Sequence, residues 1–176
     1  MDGGKVHYGA VLFVEPETRE GRALTERHAG DGIADADRTL VAALLPELSA
    51  AVLEQRGRDA IVHAARRIVQ TLAEDMEPPA VSDPRILRAV EYINSHLAPP
   101  LPEQQVAAVA YLSPSRFRHL FAEQIGVGLR PYILWRRMVR VWEHTMAGES
   151  LSAAAHAAGF ADSAHLSRTC RRMMGV

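Results

Sequence analysis

Two segments of the sequence set arginine beside small or hydrogen-bonding side chains at helical spacing. The first segment, residues 114–124, places Ser115, Arg118, His119 and Ala122 on one side if it is helical. We call this side the first basic face. Its counterpart, the second basic face, consists of Ala164, Ser167, Arg168 and Arg171. Arginine pairs bidentately with guanine, serine donates or accepts hydrogen bonds, and alanine contacts the thymine methyl group. Both faces therefore offer chemistry for recognising base edges in a major groove.

The opposite side of each segment is apolar, so both segments are predicted to be amphipathic helices. The inward residues of the first are Phe117, Leu120, Phe121 and Ile125, and those of the second are Leu166, Thr169, Cys170 and Met173. Ser113 followed by Pro114 predicts the start of the first helix, and Gly126 predicts its end. The alternative is an ordinary solvated face, which usually carries glutamate as well, and only Glu123 flanks the first face.

The two helices belong to an internal repeat with a spacing of roughly 48 to 49 residues. Val106-Ala107, Leu112 and Gly126-Val127 recur as Ala154-Ala155, Phe160 and Gly175-Val176. Each copy predicts a short alanine-rich helix, a turn and a second helix, the order of a helix-turn-helix unit. A helical hairpin repeat for protein contacts is the alternative, and the composition of the basic faces favours DNA.

A longer helix is predicted between the copies, from Pro131 to about Ala147, with Gly148 at its end. At ~1.5 Å per residue it spans roughly 25 Å, which can hold two helices near the ~34 Å between successive major-groove faces. Arg136, Arg137 and Arg140 on this helix are candidates for phosphate contacts, against the alternative that they are merely solvated.

Charge divides the chain at a proline-containing linker over residues 77–83. Residues 84–176 hold 11 arginines and six acidic residues, whereas residues 1–83 hold nine basic and 15 acidic residues. Asp83 followed by Pro84 predicts an N-cap and a first helical turn. We therefore expect an N-terminal segment over residues 1–80 and a DNA-binding domain over residues 83–176, where phosphate would bind.

The remaining elements make the predicted fold mainly α. One β-strand is predicted over residues 6–14, followed by helices over residues 35–52 and 58–72. The first helix after the linker is expected to bury Ile86, Leu87, Val90 and Ile93 as one stripe. Short helices are predicted over residues 101–110, 114–124, 151–158 and 163–173.

Several function classes are disfavoured by composition. No apolar run approaches the ~18 to 20 residues of a membrane span, and residues 1–4 lack the features of a signal peptide, so a cytoplasmic protein is expected. Cys170 is the single cysteine, and the eight histidines include no ligand pair with a helper carboxylate. We expect no enzyme activity, no metal and no cofactor.

The block from about Arg85 to Val176 resembles the DNA-binding domain of the AraC/XylS family, which has two helix-turn-helix units on a linking helix. The resemblance rests on residues 112–121, on Gly126, Tyr132 and Arg137, and above all on residues 159–169. It implies base-reading roles for Ser115, Arg118, His119, Ser163, Ala164, Ser167 and Arg168. The phosphate contacts expected in such a domain are Arg116, Arg137, Arg171 and Arg172.

The resemblance implies a sequence-specific transcription regulator with double-stranded DNA as partner. RNA polymerase is a further expected partner, as is a second copy of the chain through residues 1–80, and a small-molecule effector is left open. Residues 1–80 are interpreted as a shortened or partial sensing and dimerisation region. Alternatives are an interaction module that dimerises with a full-length regulator without binding DNA, and an effector-binding sensor.

Three features depart from the family pattern. Cys170 stands where an aromatic residue usually packs the second unit, which predicts a thinner core there. Ala122 replaces a frequent basic residue, so one phosphate contact fewer is expected. The sequence ends at Gly175-Val176, where the family continues through a short tail, and the second unit is expected to be less stable for it.

Overall fold

A computed structural model describes residues 10–27, 38–74, 81–97 and 100–174 of the chain. Within these ranges it contains nine α-helices and no β-strand, which confirms the mainly α fold. The helices are α1 (Arg19–Arg27), α2 (Arg38–Leu53), α3 (Arg58–Leu72), α4 (Pro84–Ser95), α5 (Glu103–Val109), α6 (Pro114–Ile125), α7 (Leu129–Met146), α8 (Leu151–Ala157) and α9 (Ser163–Met174). None of these helices is long and apolar enough to cross a membrane.

The β-strand predicted over residues 6–14 is wrong in its described part. Residues 10–14 have no regular secondary structure, and residues 6–9 lie outside the described ranges. A strand needs a neighbour for its backbone groups, and the described residues supply none. Phe13 instead packs against the apolar residues of the second repeat. The helix that follows, α1, was not predicted, although Thr18 accepts a hydrogen bond from the Gly21 N–H at its start (3.0 Å).

Helices α2 and α3 form a hairpin close to the predicted positions. α3 has the predicted bounds, whereas α2 is described from Arg38 because residues 35–37 lie outside the described ranges. Leu48, Ala64 and Ile68 form the core of this hairpin, and Leu44, Ile61 and Leu72 pack partly buried against them. Ala51 of α2 is buried as well. Such a small core leaves much of the apolar surface of α2 uncovered, including Leu45, Val52 and Leu53.

The first helix-turn-helix unit consists of α5 and α6. It shares one core with α4 and the start of α7. Asp83 caps α4 by accepting the Arg85 N–H (2.9 Å), and the Arg85 guanidinium lowers the pKa of Asp83 to about 2. The fully buried side chains include Ile86, Ile93, Phe117, Phe121 and Tyr132. The expected burial of Leu87 is wrong. Leu87 is 44% exposed, because Ala89 rather than Leu87 continues the buried stripe of Ile86, Val90 and Ile93.

The linking helix α7 contributes to both repeats. It begins at Leu129, two residues before the predicted start, and its N-terminal half buries Tyr132 and Ile133 in the first core. Its C-terminal half buries Met138 and Val141 in the second core, together with Ala154, Ala155, Ala158, Phe160 and Leu166. Because one continuous helix carries residues of both cores, it sets the distance between the two units.

The core of the second unit is open beside Cys170, which agrees with the expectation of a thinner core. Cys170 is half-buried, with its Sγ 3.4 Å from the Met138 Sδ, and burial raises the pKa of its thiol. A groove of about 380 Å³ next to it is lined mainly by apolar side chains, among them Val141, Trp142 and Leu166.

Cys170→Leu is therefore expected to stabilise the protein, by about 0.5–2 kcal/mol, as a group that extends into an unfilled apolar space. Urea unfolding monitored by circular dichroism measures the change. Cys170→Ser serves as the control, since a hydroxyl in the same place is expected to destabilise the unit. A lower unfolding free energy for Cys170→Leu would show that the groove cannot accept the larger side chain.

Candidate nucleic-acid interface

Helix α6 presents the first basic face to solvent. Ser113 caps the helix by accepting the Arg116 N–H (3.4 Å), and Gly126 ends it in the left-handed conformation (φ 87°). Phe117, Leu120, Phe121 and Ile125 are buried as predicted. The opposite side of the helix is exposed, and it carries Ser115, Arg118, His119 and Ala122. The predicted orientation of this helix is thus the one observed.

Arg118 has an ion-pair partner on the preceding helix. Its Nη2 lies 2.8 Å from Glu103 Oε1 and its Nε lies 3.4 Å from Glu103 Oε2. The arginine side chain remains 64% exposed, whereas the glutamate side chain is 28% exposed. The pair therefore holds the guanidinium at the surface and does not bury it. Glu103 was not singled out in the sequence, because the contact joins two helices whose crossing is set by the turn between them.

Helix α9 presents the second basic face in the same manner. Its cap was missed in the sequence: Asp162 accepts the His165 N–H (2.6 Å). Leu166 and Thr169 are buried, and the Thr169 hydroxyl donates to the His165 carbonyl (3.0 Å), so its burial leaves no unpaired polar group. The exposed residues of the helix include Ser163, Ala164, Ser167, Arg168 and Arg171.

The arginines assigned to phosphate contacts fall into two groups. Arg116, Arg171 and Arg172 are exposed, and their guanidinium groups have no ion-pair partner among the described residues. Arg137 points back into the protein, where its Nε donates to the Leu97 carbonyl (3.0 Å) and burial lowers its pKa. An exposed, unpaired arginine can neutralise a phosphate without first losing a contact inside the protein. The assignment of Arg137 remains a prediction with less structural support than that of the other three.

The other two arginines of α7 are also engaged inside the molecule. Arg136 forms an ion pair with Glu15 (2.8 Å), and its side chain is 15% exposed. Arg140 lies 3.8 Å from Glu143 and donates to the Asn94 carbonyl (3.4 Å). These contacts favour roles for both residues in packing and make phosphate binding by the linking helix less favourable than the sequence suggested.

Residues 10–27, which we call the N-terminal strap, lie along the linking helix. The buried Arg22 donates to the Gln124 carbonyl at the end of α6. The Tyr132 hydroxyl donates to Glu17 (2.9 Å), and burial together with this carboxylate raises the pKa of Tyr132. Further along, the rings of Phe13 and Trp142 lie 6.2 Å apart. The strap thus contacts residues of both helix-turn-helix units, a role that no periodicity in the sequence indicated.

Comparison with known proteins identifies the region that carries both basic faces. A family model described as a helix-turn-helix domain matches residues 106–176. The regulatory protein PocR of Salmonella typhimurium is 30% identical over 99 residues, which are 56% of this chain and 33% of PocR. The arabinose operon regulatory protein of Escherichia coli is 29% identical over 117 residues, which are 62% of this chain and 38% of that protein. The chain therefore spans roughly a third of the length of these curated relatives. No solved structure matches it significantly.

Proposed function

We propose that this chain is a sequence-specific DNA-binding transcription regulator of the AraC family, because a helix-turn-helix family model matches residues 106–176 and two curated regulatory proteins are similar over more than half of the chain. One observation carries the proposal: the repeat presents two exposed basic faces, on α6 and α9, at the two ends of one linking helix. Exposed arginine and serine on helices that are anchored by apolar cores are suited to reading base edges. The expected place of action is the cytoplasm.

Each recognition helix is proposed to carry base-reading residues and separate phosphate-contacting residues. In α6, Ser115, Arg118 and His119 read bases while Arg116 contacts phosphate. In α9, the base-reading residues are Ser163, Ala164, Ser167 and Arg168, and the phosphate contacts come from Arg171 and Arg172. Small side chains on both faces support this assignment, since they allow the helix backbone to approach the groove floor.

Selection of bound duplexes from a random pool tests this function. Two conserved blocks with centres about 10–10.5 bp apart are expected, because the proposal has the two recognition helices enter successive major grooves. Gel-shift titration at several salt concentrations gives the affinity for the selected duplex and for random duplexes. Absence of salt-sensitive retention on any duplex would favour the rival function, an interaction module that modulates another regulator without binding DNA.

The proposal extends to a homodimer formed through α2. One side of this helix exposes Ala42, Leu45, Ser49 and Val52, spaced three and four residues apart. A stripe of this spacing, apolar except for Ser49, suits a second helix of the same kind. A contact of the DNA-bound dimer with RNA polymerase belongs to the same proposal and is tested by transcription in vitro from a template with the selected site.

Leu45→Glu is expected to dissociate the dimer, because a carboxylate in the centre of the stripe would lose its hydration in the interface. Sedimentation equilibrium at micromolar concentration should show at least a tenfold weaker dimer, on the order of 1.4 kcal/mol or more. Ala43→Glu is the matched control, since Ala43 is exposed on another side of α2. Equal mass distributions for the two variants would contradict a dimer through this stripe.

A groove between the strap and α3 favours effector binding as a second candidate function. It has a volume of about 670 Å³ and is lined by apolar side chains such as Val11, Phe13, Val62 and Val69, with Arg66 and Glu20 at its polar part. This size and composition are typical of sites for small organic ligands. Thermal-shift screening tests the idea, because a ligand that binds only the folded chain raises its melting temperature.

A further inference from the structure

Of the two arginines proposed to read bases from α6 and α9, only Arg118 has an ion-pair partner among the described residues. Arg168 is exposed, with no ion pair in the described part of the chain. The partner of Arg118 is Glu103, the first residue of α5. The two units of the repeat therefore differ at a functionally important position, and this difference calls for a physical explanation.

The geometry of the pair determines which part of the guanidinium stays available. Glu103 engages Nη2 at 2.8 Å and Nε at 3.4 Å, which lie on the same edge of the planar group. Arginine carries five N–H donors in a fixed fork, so the edge formed by Nη1 and the second hydrogen of Nη2 remains unoccupied. That free edge has the spacing of the O6 and N7 acceptors of guanine. One arginine can thus contact Glu103 and a base at the same time.

We propose that Glu103 is a positioning residue for Arg118, which it holds in the orientation that reads guanine. The inference rests on the proposed function. Arg118 has many accessible rotamers when unrestrained, and ordering it beforehand lowers the entropy cost of the contact with the base. The same carboxylate keeps the guanidinium from turning toward a neighbouring phosphate, where it would add affinity without sequence preference.

Glu103→Gln tests the proposal, because it preserves shape and removes the charge that holds the arginine. Affinities of the full chain are measured for the selected duplex and for duplexes with one base pair changed at a time. We expect Glu103→Gln to lose preference threefold to tenfold at one base pair only. This should be the base pair that Arg118→Ala also affects. The affinity for random duplexes should rise, and its dependence on salt should steepen by up to about 0.9, since the released Arg118 is then free to neutralise one phosphate.

Glu123→Gln is the matched control, because Glu123 is an exposed carboxylate on α6 that has no ion pair among the described residues. It changes net charge by the same amount and is expected to leave the preference at every base pair unchanged. In an Arg118→Ala background, Glu103→Gln should likewise cause no further change in preference. A purely structural role of Glu103 would lower the melting temperature and weaken preference at all positions of the first block alike.

The outcomes separate the positioning role of Glu103 from the proposed DNA-binding function on which it rests. Wild-type protein without any sequence preference would overturn the proposed function and the positioning role together. Wild-type protein with preference, combined with full retention of that preference in Glu103→Gln, would overturn the positioning role alone. A loss of preference in Glu103→Gln that also occurs without Arg118 would overturn it as well, because the effect would then not pass through the arginine.

Discussion

Phe117→Ala is expected to lower the free energy of unfolding by about 3–5 kcal/mol, the usual cost of removing a buried aromatic ring. Phe117 is fully buried, and its ring lies 5.3 Å from that of Phe121. Phe121 in turn lies 5.4 Å from Tyr132 of the linking helix, edge to face, so the cavity would open beside the aromatic cluster that joins α6 to that helix. Urea unfolding followed by tryptophan fluorescence, with Trp135 packed against this core, measures the change.

Phe117→Leu is the control for this prediction, because it keeps an apolar side chain in place and should cost much less than the alanine variant. A cost below about 1 kcal/mol for Phe117→Ala would mean that the first core collapses around the gap or is not formed in solution. Either result would weaken the view that a rigid core holds the first basic face in its orientation.

The start and the orientation of helix α6 could be predicted from the sequence, because the residues that determine them lie within or next to the helix. Ser113 and Pro114 are adjacent to the helix that they start, and the alternation of Phe117 and Leu120 with Arg118 already orients it. Local signals fail where neighbours decide. Leu87 has the hydrophobicity of a core residue, yet the smaller Ala89 occupies the buried position, because Ala89 lies on the side of α4 that packs against α5 and α6.

The N-terminal strap shows what local signals do not contain. Glu15 and Arg136 are 121 residues apart in sequence, and Tyr132 is 115 residues from Glu17. No periodicity connects such residues, so their pairing depends on the completed fold. Residues 10–14 have the composition of a strand, but the apolar surface that receives Phe13 is formed by α7 to α9. Tertiary packing has overridden the local preference for β-structure.

The strap also bears on how the two units are held relative to each other. Its beginning packs on the second core through Phe13, and its helix α1 meets the end of α6 through Arg22 and Thr25. A side chain at Gly126 would meet Thr25 at 3.3 Å and would have to adopt a φ of 87°, so two separate restraints favour glycine there. The strap therefore adds a second connection between the units besides α7.

The strap also borders the groove proposed for an effector, so a ligand bound there would contact the segment that joins both units.

Arg118→Ala is expected to weaken binding to the selected duplex by about 1–3 kcal/mol and to abolish preference at one base pair, since the proposed bidentate contact with guanine would be lost. Arg171→Ala is the contrasting variant. It should weaken binding to selected and random duplexes alike and reduce the slope of log affinity against log salt by about 0.9, as for one phosphate contact fewer. Titrations at three or more salt concentrations measure both quantities.

Comparing Arg118→Ala with Arg171→Ala distinguishes base recognition from phosphate binding, because both variants remove one positive charge from an exposed side chain. If Arg118→Ala reduced binding to selected and random duplexes equally, Arg118 would be a phosphate contact, and its pairing with Glu103 would have no role in specificity. If Arg171→Ala changed the preferred base, α9 would lie deeper in its groove than a phosphate contact by Arg171 allows. The expected result, specificity lost in one variant and salt dependence in the other, requires α6 to face the base edges with Arg118 and α9 to face the backbone with Arg171.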